Sequence, residues 1–273
     1  MSFDFVKIGM FSCFLAVTAA SCSQEPSVQK NQIQNQTPSG PPSAVSETPP
    51  ASSLPVQSAL EGVGVVRGAV HFSGAFPIMP MLDMSADPVC AASHSEQIEA
   101  EALVVNPNRT LRFAFVYIKE GLSVKNYEVP KEPAVLDQTG CRYVPHVLGL
   151  QTGQELVIAN NDGTLHNVHG MPQKSKEFNL GMPVQGMKLK REFLEPEVMV
   201  KFKCDVHPWM SAFIGILPHP FFSVTGEDGT FEIKRLPAGN YTLEVWHEML
   251  GIQTQPIEIT PNGETVIDFT FQG

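Results

Sequence analysis

Cys204-Asp205-Val206-His207-Pro208-Trp209-Met210 sets a thiol, an imidazole and a thioether at C-x-x-H-x-x-M spacing on one short segment. With 5 Cys, 8 His and 11 Met in 273 positions, chance would produce this spacing only about 0.006 times, so the pattern is a strong signal. The three side chains can converge on a single ion, and their softness suits copper better than magnesium or calcium. A further nitrogen stands upstream in Asn160-Asn161-Asp162-Gly163-Thr164-Leu165-His166-Asn167-Val168-His169, where an extended run ends, turns and presents His166.

Strands must position these groups. Glu197-Val198-Met199-Val200-Lys201-Phe202-Lys203-Cys204 alternates with period two, which puts Val198, Val200, Phe202 and Cys204 on one face and points Cys204 into a core. Comparable strands are expected over 63–72, 110–118, 155–160, 187–194, 211–217, 230–234, 241–247 and 265–271, separated by turns such as Asn161-Asp162-Gly163 and Glu227-Asp228-Gly229. No stretch carries a sustained apolar stripe of helical period. Many short strands in a chain with 23 Pro and 21 Gly predict an all-β fold of sandwiches or barrels.

Two imidazoles and a thiolate with a weak axial thioether make the donor set of a type 1 (blue) copper site. On these residues the segment from about 140 to 217 resembles the plastocyanin and amicyanin group of cupredoxins. Further landmarks are Tyr143-Val144-Pro145, Gly153-Gln154-Glu155-Leu156, His166-Asn167-Val168-His169 and the short loop from Cys204 to Met210. The resemblance implies a Greek-key sandwich in which His166, Cys204, His207 and Met210 hold one copper. It also implies that Asn167 pins the ligand loop and hydrogen-bonds near the sulfur, and that His207, flanked by Pro208 and Trp209, reaches the surface as the electron port. Asp205 departs from the expected loop, and its carboxylate is expected to lower the reduction potential. A stiff site that suits both oxidation states reorganises little when one electron moves, which predicts outer-sphere electron transfer.

A second resemblance lies around this segment. Val224 to Ile233 and Leu236 to His247, with Val65 to Phe72 and Phe113 to Ile118 upstream, are similar to the carboxypeptidase regulatory-like, or transthyretin-like, β-sandwich, which implies a scaffold role. The domain expectation is one sandwich split into 61–130 and 219–273, with a cupredoxin domain of 131–218 inserted at a surface loop. Two or three β domains in series are the simpler alternative.

At the amino end, Lys7 precedes the apolar run Ile8 to Ala20, which closes on Ala19-Ala20-Ser21-Cys22. This reads as a signal peptide over 1–21 with lipidation at Cys22, and hence as an exported protein of the periplasm or outer membrane, held to the membrane by lipid only. Residues 22–60, rich in Ser, Pro and Gln, read as a disordered tether. Removing Cys13 with the signal, Cys22 to lipid and Cys204 to copper leaves Cys90 and Cys141 as an even pair, expected to form a disulfide in an oxidising compartment. The competing reading is a second thiolate metal site with His94 and His146. His247 shares a strand face with Tyr241, Leu243 and Val245 and reads as a core histidine, His169 reads as structural, and His94 and His219 stay open for a second site.

The formal charge of −10 is the wrong sign for a protein that neutralises phosphates, so nucleic acid is not expected as a partner. The functional expectation is an exported copper protein passing single electrons between redox partners, such as a cytochrome or a copper enzyme. The alternative is a periplasmic copper carrier or sensor without an electron-transfer role. Enzyme activity needs an open copper position, which Met210 would fill, so none is expected.

Overall fold

The structure is a computed structural model that describes residues 62–123 and 126–273. The signal segment, Cys22 and the tether all lie outside the described residues. The fold is all-β, with four sheets paired into two sandwiches and, among the described residues, a single helix, α1 (Pro88–Ala92).

One sandwich draws strands from both ends of the described chain. β1 (Val63–Ser73) pairs antiparallel with β13 (Thr230–Pro237) and parallel with β16 (Glu264–Val266) and β17 (Phe269–Gln272). Its other sheet runs β12 (Phe222–Val224), β2 (Phe115–Glu120), β14 (Gly239–His247), β15 (Gly251–Ile259). Alternation does the work here: Val66 and Val70 from β1 meet Val116 and Ile118 from β2 and Leu243 and Val245 from β14 in one apolar core.

The second sandwich is continuous in sequence. One sheet runs β4 (Arg142–Val144), β3 (Ala134–Thr139), β6 (Glu155–Asn160), β9 (Met187–Glu192), and the other runs β5 (Val147–Gln151), β11 (Ser211–Leu217), β10 (Glu197–Lys203), β7 (His166–Met171), β8 (Phe178–Met182). Leu136, Ile158, Val168, Phe202 and Ile214 are fully buried between them, in the same cluster as Cys204 and Met210. The two sandwiches meet across Phe115, Tyr117, Val147 and Leu217. Gly149 and Gly215 permit this approach: a Cβ built on them would lie 2.3 Å from the Phe222 ring and 2.4 Å from the Phe115 ring.

Several expected strands differ in detail. The strand expected over 110–118 begins only at Phe115, because Phe113 takes a left-handed backbone (φ 65°) that interrupts it. Met199 is likewise left-handed (φ 62°), and the pairing of β10 with β11 shifts register between Glu197 and Val200. That bulge leaves Val198 partly exposed, off the face it was expected to share, while Val200, Phe202 and Cys204 remain buried. The run 265–271 is two short strands, not one.

Candidate metal centre

The centre lies at one end of the second sandwich, where β7 begins and β10 ends. Antiparallel pairing of Lys203 with His169 sets these two strands side by side, so the start of β7 and the loop after β10 share an edge. His166 opens β7, and the Cys204 to Met210 loop closes on itself through Cys204 N–H to Met210 O (3.2 Å) and Met210 N–H to His207 O (2.9 Å). Tyr143 braces the junction by donating its hydroxyl to Asn167 O (2.7 Å) and Lys203 O (3.1 Å).

The donors converge. His166 Nδ1 lies 2.8 Å from His207 Nδ1, and Cys204 Sγ lies 3.9 Å from the same His207 nitrogen. All three side chains and Met210 are buried, and ligand atoms of His166, Cys204 and His207 lie within 4.8 Å of one another. Met210 packs in the cluster that holds Cys204. Asn167 donates its backbone N–H to Cys204 Sγ (3.4 Å), and its Oδ1 accepts the N–H of Asp205, tying the ligand loop to β7.

What faces the far side of each ring matters most. His166 Nε2 meets Asp162 Oδ2 at 2.9 Å, and His207 Nε2 meets Asp87 Oδ2 at 3.2 Å. A nitrogen facing a carboxylate carries the proton, so in the neutral rings both Nδ1 atoms are lone pairs aimed at one point beside a sulfur. Two acceptor nitrogens at that separation repel unless a cation sits between them, and two imidazoles with a thiolate fit a soft one. Without a metal a single proton bridges the pair. Burial opposes charge on His166, but Asp162 and then Cys204 outweigh it and push its pKa up to about 9. Burial lowers His207, so the proton stays on His166. Burial would raise the Cys204 thiol, yet His166 and the N–H groups of Asn167 and His207 bring it below its ordinary value.

Asp87 and Asp162 escaped the sequence reading. In the sequence Asp162 carries only the turn signal of Asn161-Asp162-Gly163. Asp87 precedes Pro88, a legible helix-start signal, and its Oδ1 does accept from Val89 N and Cys90 N. Nothing local tied it to a residue 120 positions away.

One expectation needs correcting. His207 was expected at the surface as an electron port, but it is only 3% exposed, because α1 and Asp87 lie over its ring edge. Cys90 and Cys141 are joined as a disulfide, which removes the alternative of a thiolate site with His94 and His146. The histidines left open for a second site have separate partners: His94 Nε2 bonds Gly140 O, His146 bridges Ser211 O and Glu248, and His219 and His247 each accept a nearby backbone N–H. His169 is held by Asp205 and Glu177 outside the donor cluster. The Asp205 carboxylate is tied by Lys203, His169 and Asn179, which keep it well below the usual carboxylate range.

No family model matches the sequence, and no curated protein matches it. Solved structures do. A copper-containing nitrite reductase from Thermus scotoductus SA-01 is 19% identical over 37% of this chain, with a TM-score of 0.31; the match spans 26% of the reductase's length. A purple cupredoxin from Nitrosopumilus maritimus is 23% identical over 30% of this chain and 98% of its own, at a TM-score of 0.27. A Cu(I) amicyanin variant is 20% identical over 37% of this chain and 97% of its own, at 0.28.

Proposed function

We propose that this chain is a copper protein with one type 1 site, which His166, Cys204, His207 and Met210 would hold, and that it transfers single electrons. The observation that carries this reading is the pair of imidazoles whose Nε2 atoms each face a carboxylate, which turns both Nδ1 lone pairs toward Cys204. Copper bound there supplies a one-electron couple. The chain does the rest: the β7–β10 edge fixes the donors, and the backbone N–H groups of Asn167 and His207 face the sulfur, the latter at 3.3 Å. With His207 covered, the half-buried Trp209, its ring centroid 5.0 Å from that of His207, is the aromatic group leading outward.

The flanking sandwich serves as a scaffold of the carboxypeptidase regulatory-like kind, split around the copper domain, on the ground that β1 and β2 pair with strands beyond residue 221. Export and lipid anchoring at Cys22 belong to the same reading and rest on Ala19-Ala20-Ser21-Cys22. The partner is a redox protein such as a cytochrome or a copper enzyme, and no enzymatic turnover is assigned.

The test is visible and electron-spin-resonance spectroscopy of the copper-reconstituted chain. The oxidised protein should be intensely coloured and bleach on reduction, and Cys204→Ser should lose the band, which depends on the thiolate. A colourless Cu(II) complex would remove the type 1 assignment. The covered His207 edge favours a second reading, a copper carrier or sensor; fast electron self-exchange would exclude it.

A further inference from the structure

We propose that copper retention at this centre is governed from outside the sheets that carry the ligands, with Asp87 acting as the positioning residue for His207. The inference rests on the copper reading above and concerns what holds the ring.

Asp87 is doubly committed. Its Oδ1 caps α1 through Val89 N (2.8 Å) and Cys90 N (3.2 Å), while its Oδ2 accepts the Thr164 hydroxyl (2.7 Å) and the His207 Nε2–H (3.2 Å). The carboxylate cannot turn without breaking either the helix cap or the hold on the ring. The helix in turn is fixed to one short turn of the second sandwich. Cys90 is bonded to Cys141, His94 Nε2 meets Gly140 O at 2.7 Å, and Trp209 Nε1 donates to Cys141 O at 3.0 Å. That same turn donates Gly140 N–H and Cys141 N–H to Asp162, each at 2.8 Å, and Asp162 orients His166. Both carboxylates that aim the two imidazoles therefore hang on a single frame of α1, the disulfide and residues 140–141.

An imidazole whose outer N–H is held by a carboxylate is fixed in tautomer and direction and is a stronger donor, and losing such a partner typically costs about 10 to 100-fold in metal affinity. Asp87 also closes His207 off from solvent, so metal leaving on this side must first lift α1.

Asp87→Asn separates this role from plain helix capping. Asn caps a helix about as well as Asp, but it loses the charge and turns an amide toward the ring. Copper-loaded full chain and variant are challenged with a Cu(I) chelator after reduction, their potentials are measured, and the metal-free proteins are melted. We expect copper loss about 10 to 100-fold faster, a higher potential because a negative charge that favours Cu(II) is gone, and an unchanged melt of the metal-free chain. Asp83→Asn, whose carboxylate accepts from Ser85 N away from the centre, should match the unmodified protein. Equal loss rates and equal potentials for Asp87→Asn and the unmodified protein would overturn the proposal. The double variant Cys90→Ser, Cys141→Ser should also speed copper loss; a folded double variant that retains copper normally removes the disulfide from the frame. If the unmodified chain binds Cu(I) but never shows the coloured oxidised form, the electron-transfer reading falls while the ratio of loss rates still judges Asp87. If it binds no copper, both fall.

Discussion

Asn167 shows how one side chain can organise a ligand loop without being a ligand. Its Oδ1 takes the N–H of Asp205 and its Nδ2 donates to Asn179, both at the rim of the buried donors. Asn167→Ala removes the side-chain partner of the part-buried Asp205 N–H, and losing a hydrogen bond of this kind costs about 0.5–1.5 kcal/mol. A urea titration of the metal-free chain should register that loss. The backbone N–H of residue 167 still faces the sulfur, so the coloured band should survive with the copper held less firmly. A variant as stable as the parent would mean that the loop is held by other contacts, chiefly the closure between Cys204 and Met210. That the loop would bind something was legible from its spacing; that Asn167 would pin the loop was implied only by resemblance, and its contact with Asp205 comes from the fold.

Between elements, the contact of the two sandwiches depends on backbone without side chains. Gly149 on β5 and Gly215 on β11 are register partners, and both lie beneath aromatic rings from the neighbouring sandwich. Gly215→Ala would push a methyl into the Phe115 ring, a fully buried side chain with no free space to yield. Overpacking of this kind costs about 1–3 kcal/mol, and the thermal midpoint should fall accordingly. An unchanged midpoint would show that the interface is loose enough to absorb a methyl. Strands such as 155–160 and 211–217 were legible from alternation because each buries one or both faces in a core. β3, β5 and β7 were not, since their hydrophobic pattern is too short or too broken by polar side chains, and Gln138, Gln151 and Asn167 are all buried. The bulge at Met199 reverses the inward order over one residue, which no reading of strict alternation can anticipate.

Across the whole molecule, acid should be destabilising in a defined window. His219 and His247 are buried, and burial lowers both to about 4. In the unfolded chain such groups titrate near 6.5, so as pH falls from about 6.5 towards 4 the unfolded state binds protons that the folded state refuses. Their contribution is complete above 6.5 and drains away on the acid side, at up to about 1.4 kcal/mol per pH unit for each histidine. Denaturant midpoints of the metal-free protein should therefore drop steadily over that range. His247→Gln should flatten the slope, and an equally steep fall in that variant would assign the effect to other groups.

Local code explains what could be read from the chain alone. Period two, turn residues and the spacing of the Cys204 to Met210 loop are local, so the all-β class and the candidate donors Cys204, His207 and Met210 could be named without coordinates, while His166 joined that candidate set through the resemblance. Counting cysteines even singled out the Cys90–Cys141 pair. Folding alone decided that β1 pairs with β13, that α1 lies over His207, and that Asp87 and Asp162 aim the imidazoles. The reason is physical: contacts such as Cys90 with His207, 117 positions apart, arise from packing and leave no periodic trace in the sequence, whereas a side chain's alternation along a strand is imposed by the backbone itself.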